Sequence, residues 1–192
     1  MKRSIVFIDG SNFYFKLKEL NIPFDSKYSL LDFNFRNFAK WLVAPNELTE
    51  IHYYIGKVKR QNKNEKSERM YANQQKLIGR LQQQNVFITL GWLIKYPDKT
   101  YHEKGVDVRL AVEMIKFARE NKYDQAYLVS SDTDLVVAVE EVRSIGKTVQ
   151  YVGIAKGQSF GLSKACNDVR LLRSEEIEKF FPAVNEKAPN KE

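Results

Sequence analysis

Apolar residues in this chain fall into short unbroken runs, separated by stretches in which they recur every three or four positions. Ile5-Val6-Phe7-Ile8 and Ala126-Tyr127-Leu128-Val129 are runs of the first kind, dense enough for strands covered on both faces. Strands are predicted at residues 4–8, 50–56, 85–90 and 125–130, with a fifth over Thr148-Val149-Gln150-Tyr151-Val152 entered after the helix stop Gly146. Helical spacing marks residues 31–43, 65–84, 106–121 and 133–145, the last through Leu135, Val136, Val139 and Val142. Short helices are expected at 159–166 and 174–181. Strands alternating with helices predict an α/β fold of three layers, in which a mainly parallel central sheet of about five strands is flanked by helices through right-handed crossovers. Residues 21–30 and 91–105 read as long loops, and the second leads into the helix at 106, which makes it a candidate substrate lid.

Length sharpens this picture. With 192 residues, 43% of them hydrophobic, the chain suits one well-buried domain over residues 1–181. The polar, Pro-containing segment 182–192 is expected to be a disordered tail. The lone Cys166 has no intramolecular disulfide partner, and the four apolar residues before Asp9 fall far short of a signal-peptide core, so a cytoplasmic protein is expected. No run approaches the ~20 apolar residues that cross a bilayer.

Charge changes the picture more. The net charge is +7, yet acids punctuate the ends of the buried runs. Asp9 closes the first, in Asp9-Gly10-Ser11-Asn12, and Asp132 and Asp134 follow the fourth, in Ser130-Ser131-Asp132-Thr133-Asp134. Asp107, in Lys104-Gly105-Val106-Asp107-Val108, opens a helix. Parallel strands would deliver these acids to one edge of the sheet. Helix capping explains any one of them, but one cap residue suffices per helix start and the run 130–134 offers five polar groups. A like-charge pair at roughly 4 Å costs about 4 kcal/mol at an effective dielectric near 20, so a cluster of four either holds protons or binds a cation. Oxygen-only ligands point to Mg²⁺ or Mn²⁺.

A basic chain with a local acidic cluster suits a polyanionic substrate. Segment 57–69 carries six basic and two acidic residues directly after the second predicted strand. Lys57, Lys59 and Arg60 in it read as a phosphate-tracking rim, with Tyr54, Trp92, Tyr96 and Tyr101 as candidate base-stacking partners. Asn12, Ser130 and Lys104 are candidates for supporting the acids or touching substrate. His52 and His102 form no catalytic set with Cys166, and neither G-x-G-x-x-G nor the P-loop pattern occurs, so covalent catalysis and a nucleotide cofactor are not indicated.

Val6-Phe7-Ile8-Asp9-Gly10-Ser11-Asn12, Lys104-Gly105-Val106-Asp107-Val108, Leu128 through Leu135, and Gly146-Lys147-Thr148-Val149 together resemble the ordered motifs of NYN domains, of the PIN-like nuclease superfamily. The resemblance spans roughly residues 3–173 and is strongest to the LabA-like, DUF88 branch. It implies a PIN-like (Rossmannoid) sheet and a Mg²⁺- or Mn²⁺-dependent ribonuclease site, with Asp9, Asp107, Asp132 and Asp134 in the acidic positions and Asn12 in the polar position beside the first acid. The third motif commonly reads Ser-Gly-Asp-Ser-Asp, whereas here Ser131 replaces the glycine and Thr133 the second serine, which puts the backbone's approach to substrate in question. The expected partner is RNA, with DNA and a homodimer left open, and some proteins of this fold are thought to bind RNA without cutting it. Two other folds match less well. An adhesion-type metal motif, Asp-x-Ser-x-Ser, would need serine where Phe13 stands, and a haloacid-dehalogenase site would need aspartate at Ser11.

Overall fold

The computed structural model describes residues 1–20, 22–24, 27–58, 65–95 and 101–182, with backbone alone for residues 66, 92–95 and 101–104. The tail expected at the carboxyl end lies, from residue 183 on, outside the described residues.

Strand β1 (Arg3–Asp9) is the centre of the sheet, because Ile5, Val6, Phe7 and Ile8 are all completely buried. Alternation sends Val6 and Ile8 to one core and Ile5 and Phe7 to the other. From β1 the chain runs through α1 (Gly10–Glu19) and α2 (Phe35–Val43) to β2 (Glu47–Ile55), then through α3 (Glu65–Gln83) to β3 (Phe87–Leu90). These three helices share the first core, where Phe13, Phe33, Phe35 and Phe38 meet Phe180 and Phe181. An antiparallel pair, β4 (Trp92–Lys95) and β5 (Tyr101–Lys104), precedes α4 (Val106–Arg119). The rest is β6 (Gln125–Val129), α5 (Val136–Ser144), β7 (Thr148–Ile154), α6 (Phe160–Ala165), β8 (Asp168–Leu172) and α7 (Ser174–Glu178). Helices α4, α5 and α6 cover the second core through Leu110, Met114, Val139, Val142 and Leu162.

The large sheet has six strands in the order β3-β2-β1-β6-β7-β8, every pair parallel. The chain therefore builds outward from β1 in one direction, returns, and builds outward in the other. That reversal leaves a crevice at the carboxyl ends of β1 and β6, where open α/β sheets bind their ligands.

Several features differ from the sequence expectation. Helix α1 lies outside the predicted helical segments, and the helix expected over 31–43 begins only at Phe35, after a 3-10 turn at Leu30–Asp32. The sixth strand β8 lies where no strand is expected, because it is an edge strand whose first residues are exposed and whose Asp168 and Arg170 hide its pattern. The predicted loop 91–105 contains the antiparallel pair β4 and β5, strands of four residues each and too short for periodicity to register. The predicted helix at 133–145 begins as a 3-10 turn, Thr133–Leu135, before α5. Among the described residues no helix is long and apolar enough to cross a membrane.

Candidate functional site

Register alone brings the first two polar groups together. Ile8 pairs with Val129, so the next residues, Asp9 and Ser130, emerge side by side at the crevice although 121 positions separate them. The Ser130 hydroxyl donates to Asp9 Oδ2 at 3.0 Å and accepts from the Asp132 N–H at 3.1 Å. Asp9 Oδ1 caps α1 by accepting from the Asn12 N–H at 3.0 Å, and Asn12 Oδ1 in turn accepts from the Ser131 N–H at 3.1 Å. Asp132 caps the following 3-10 turn, its Oδ1 accepting from the Asp134 N–H at 3.0 Å. Asp9, Asn12, Ser130 and Asp132 thus form one hydrogen-bonded chain across the crevice.

Gly10 lets α1 begin this close to the sheet. A Cβ there would run into the ring of fully buried Tyr53, whose hydroxyl donates to the Gly10 carbonyl at 3.4 Å. Asp107 arrives from the other core, in the first turn of α4, after Gly105 at φ 80°. Helix α4 packs on β1 and on the 3-10 turn carrying Asp134.

The electrostatics show that the acids sense one another. Asp9 is 5% exposed, and burial first, then the charges of Asp107 and Asp132, push its carboxyl above the usual range against the two hydrogen bonds that lower it. Asp107 is also raised, by burial first and then by Asp132 and Asp134. Among the described residues, however, no three His, Cys, Asp or Glu side chains are grouped closely enough to hold a metal ion on their own. The donor set still fits one. Mg²⁺ keeps several waters and needs only one or two carboxylates, and a carboxylate accepting one hydrogen bond per oxygen retains lone pairs.

The two departures from the family motif are accommodated. The Ser131 hydroxyl pairs with the Tyr151 hydroxyl at 3.0 Å, and Thr133 Oγ1 with Ser159 Oγ at 3.0 Å. Tyr151, fully buried, also accepts from the Ser159 N–H at 3.0 Å, so it ties the 130–134 turn to the start of α6. Sequence reasoning missed Tyr151 and Ser159 as supports, and the signal available was a hydroxyl placed inside an otherwise apolar strand.

Of the expected substrate groups, Ser130 is buried within the network, and Lys57 is exposed just beyond the carboxyl end of β2, on the crevice side of the sheet. Tyr54 is not a stacking platform. Its ring is buried beside Phe7, and its hydroxyl donates to Glu113 Oε2 at 2.8 Å, because alternation along β2 turns it into the second core. Lys59, Arg60 and Tyr96 lie outside the described residues, as do the side chains of Trp92, Tyr101, His102 and Lys104.

The polar constellation thus stands at the strand-order reversal of a parallel sheet, the position where open α/β sheets bind their ligands. The chain belongs to the NYN domain family, of the PIN-like nuclease superfamily, whose model matches residues 3–173. No curated protein matches it. The fold is similar to that of a protein of unknown function, VPA0982, from Vibrio parahaemolyticus RIMD 2210633, with a TM-score of 0.67 at 16% identity over 91% of this chain and 94% of that one. An isopentenyl phosphate kinase in complex with substrate is similar only at a TM-score of 0.41 and 12% identity, over 79% of this chain and 90% of that one, too slight a likeness to carry an argument.

Proposed function

We propose that this chain is a divalent-metal-dependent ribonuclease that hydrolyses phosphodiester bonds of unpaired or structured RNA. The observation that carries the reading is the Asp9–Ser130–Asp132 chain at the strand-order reversal, with Asp9 held above the usual carboxylate range by burial first and then by the charges of Asp107 and Asp132. Capping accounts for one hydrogen bond at each of Asp9 and Asp132 but not for setting repelling acids beside one another, whereas a cation relieves their repulsion. Asp9 and Asp132 would hold Mg²⁺ or Mn²⁺, with Asp107 and Asp134 facing them across the crevice. The ion, when bound, supplies charge stabilisation at the scissile phosphate and lowers the pKa of water. Ser130 and Asn12 keep the two principal acids oriented, each using one hydrogen bond to lock a turn. Lys57, with Lys59, Arg60 and Lys104, would hold the phosphates on either side, and Tyr96 would contact a base. The ordered motifs support a place on the LabA-like, DUF88 branch.

The test is cleavage of end-labelled single-stranded RNA by protein freed of contaminating nucleases, with Mg²⁺, Mn²⁺ or chelator. Wild type cuts with metal and stops with chelator, and Asp132→Asn does not cut while retaining RNA affinity within a few fold. Cleavage at wild-type rate by Asp132→Asn removes that residue from the chemistry. A second reading, a non-catalytic RNA-binding module, is favoured by one observation: the described carboxylates do not form a ready three-ligand group. Such a module retards RNA equally with and without metal and never shortens it.

A further inference from the structure

Beside the carboxylates, on the other flank of α1, lies an open cleft of about 550 Å³. Its walls are Gly10, Ser11 and Phe15 of α1, Tyr53 and Ile55 of β2, and Met70 and Asn73 of α3. The volume falls in the range of ~300–1,000 Å³ usual for small-molecule sites. Two large apolar side chains on its walls face solvent, Phe15 at 61% exposure and Met70 at 50%. Phe15 leans edge-on against Tyr14, ring centroids 5.5 Å apart, which leaves it held but uncovered. The wall beneath is braced, since Gln74 donates to the Gly56 carbonyl at 2.6 Å and accepts from the Val58 N–H at 2.8 Å.

The charge distribution selects the occupant. Among the described residues no charged side chain lines the cleft, and those that do make its wall neutral and aromatic, with amide and hydroxyl groups from Asn73 and Ser11. Exposed cations stand next to its lining residues, Lys57 before Val58 and Arg69 before Met70. A neutral, flat, hydrogen-bonding group with anions on either side fits that arrangement, and a nucleobase between two phosphates is such a group. Gly10 and Ser11 of its lining directly follow Asp9 in the chain, which sets the cleft beside any phosphate held at the acids.

We propose that this cleft is a nucleobase subsite, in which Phe15 stacks on an unpaired base adjoining the phosphate at Asp9. The inference rests on the nucleic-acid reading of the acidic site. It assigns Phe15 and Met70 to substrate binding and requires a single strand, because a base held in the cleft is withdrawn from its pairing partner.

The test is fluorescence anisotropy of a labelled single-stranded RNA, in chelator so that nothing is cut, together with the same RNA carrying one abasic nucleotide moved stepwise along it. Phe15→Ala is expected to weaken binding roughly 5- to 150-fold, the range for loss of one stacked base, while Phe15→Trp stays within about twofold. Met70→Ala, on the facing wall, weakens it in the same direction, and Val169→Ala, an exposed apolar residue on β8, leaves it unchanged. One abasic position reproduces the loss in wild type and adds nothing in Phe15→Ala, since both remove the same contact. A single-stranded DNA of equal sequence shows the same pattern if the base is recognised and a weaker one if the ribose contributes. Wild-type affinity in Phe15→Ala, or additive losses with every abasic position, overturns the subsite while leaving metal-dependent cleavage intact. Absence of any RNA or DNA binding by wild type overturns both readings.

Discussion

Asparagine in place of Asp9 separates the strain the acids impose from the work they are proposed to do. The substitution keeps the shape, and asparagine caps helices as well as aspartate, so the bond to the Asn12 N–H is retained. What disappears is a negative charge that is 5% exposed and pushed above the usual carboxylate range by burial, Asp107 and Asp132. Each pKa unit of such a shift is worth about 1.4 kcal/mol of folding free energy. The loss of a charged hydrogen bond from Ser130 offsets part of it. In chelator at neutral pH the variant is therefore expected to be more stable than wild type, each kcal/mol of gain raising Tm by ~2–4 °C for a chain of this size. The sign follows from linkage. A carboxyl whose folded pKa is raised loses stability as pH climbs from its unfolded value, near 4, through its folded value, so the gain from asparagine is largest at neutral pH and vanishes below about pH 4. Metal reverses the ranking. At a hundredfold excess over Kd, Mg²⁺ or Mn²⁺ stabilises wild type by about 2.7 kcal/mol and the variant by far less. Thermal melts from pH 3.5 to 8, with chelator and with each metal, read all three effects. A variant less stable than wild type in chelator at every pH, with an unchanged response to metal, refutes the reasoning.

Three further outcomes follow from individual contacts. Gly10→Ala forces a methyl into the ring of Tyr53, which is fully buried and has nowhere to move, and is expected to cost about 1–3 kcal/mol in urea unfolding, with cleavage falling because Asp9 shifts with α1. Tyr151→Phe leaves the buried Ser159 N–H without its acceptor and frees the Ser131 hydroxyl, so it is expected to lower stability by about 1–3 kcal/mol and to slow cleavage more than it weakens RNA binding, as paired unfolding and kinetic measurements would show. Asp124, at the opposite end of the sheet, is held well below the usual carboxylate range by hydrogen bonds from Arg3 and, more weakly, by Lys147. Its contribution is present above about pH 4 and lost on acidification, so Asp124→Asn is expected to lower Tm at neutral pH and to converge with wild type in acid, opposite in sign to Asp9→Asn.

The residues of the candidate site were legible in the chain itself, because each acid follows a local signal. Asp9 closes an unbroken apolar run, Asp132 and Asp134 crowd a helix start with more polar groups than a cap needs, and Asp107 opens a periodic segment after glycine. Local patterns also determined that strands and helices alternate, and so that the sheet is parallel. They did not determine its extent, since β8 is a half-exposed edge strand carrying Asp168 and Arg170, and the β4–β5 strands are shorter than the period that would reveal them. Nor could they tell which aromatics face solvent: Tyr54 points inward to Glu113, while Phe15 stands uncovered at the cleft. Those facts belong to tertiary structure. A side chain's environment depends on which strand lies beside it and in what register, and pairing Ile8 with Val129 is a decision made between segments 121 residues apart that neither encodes alone.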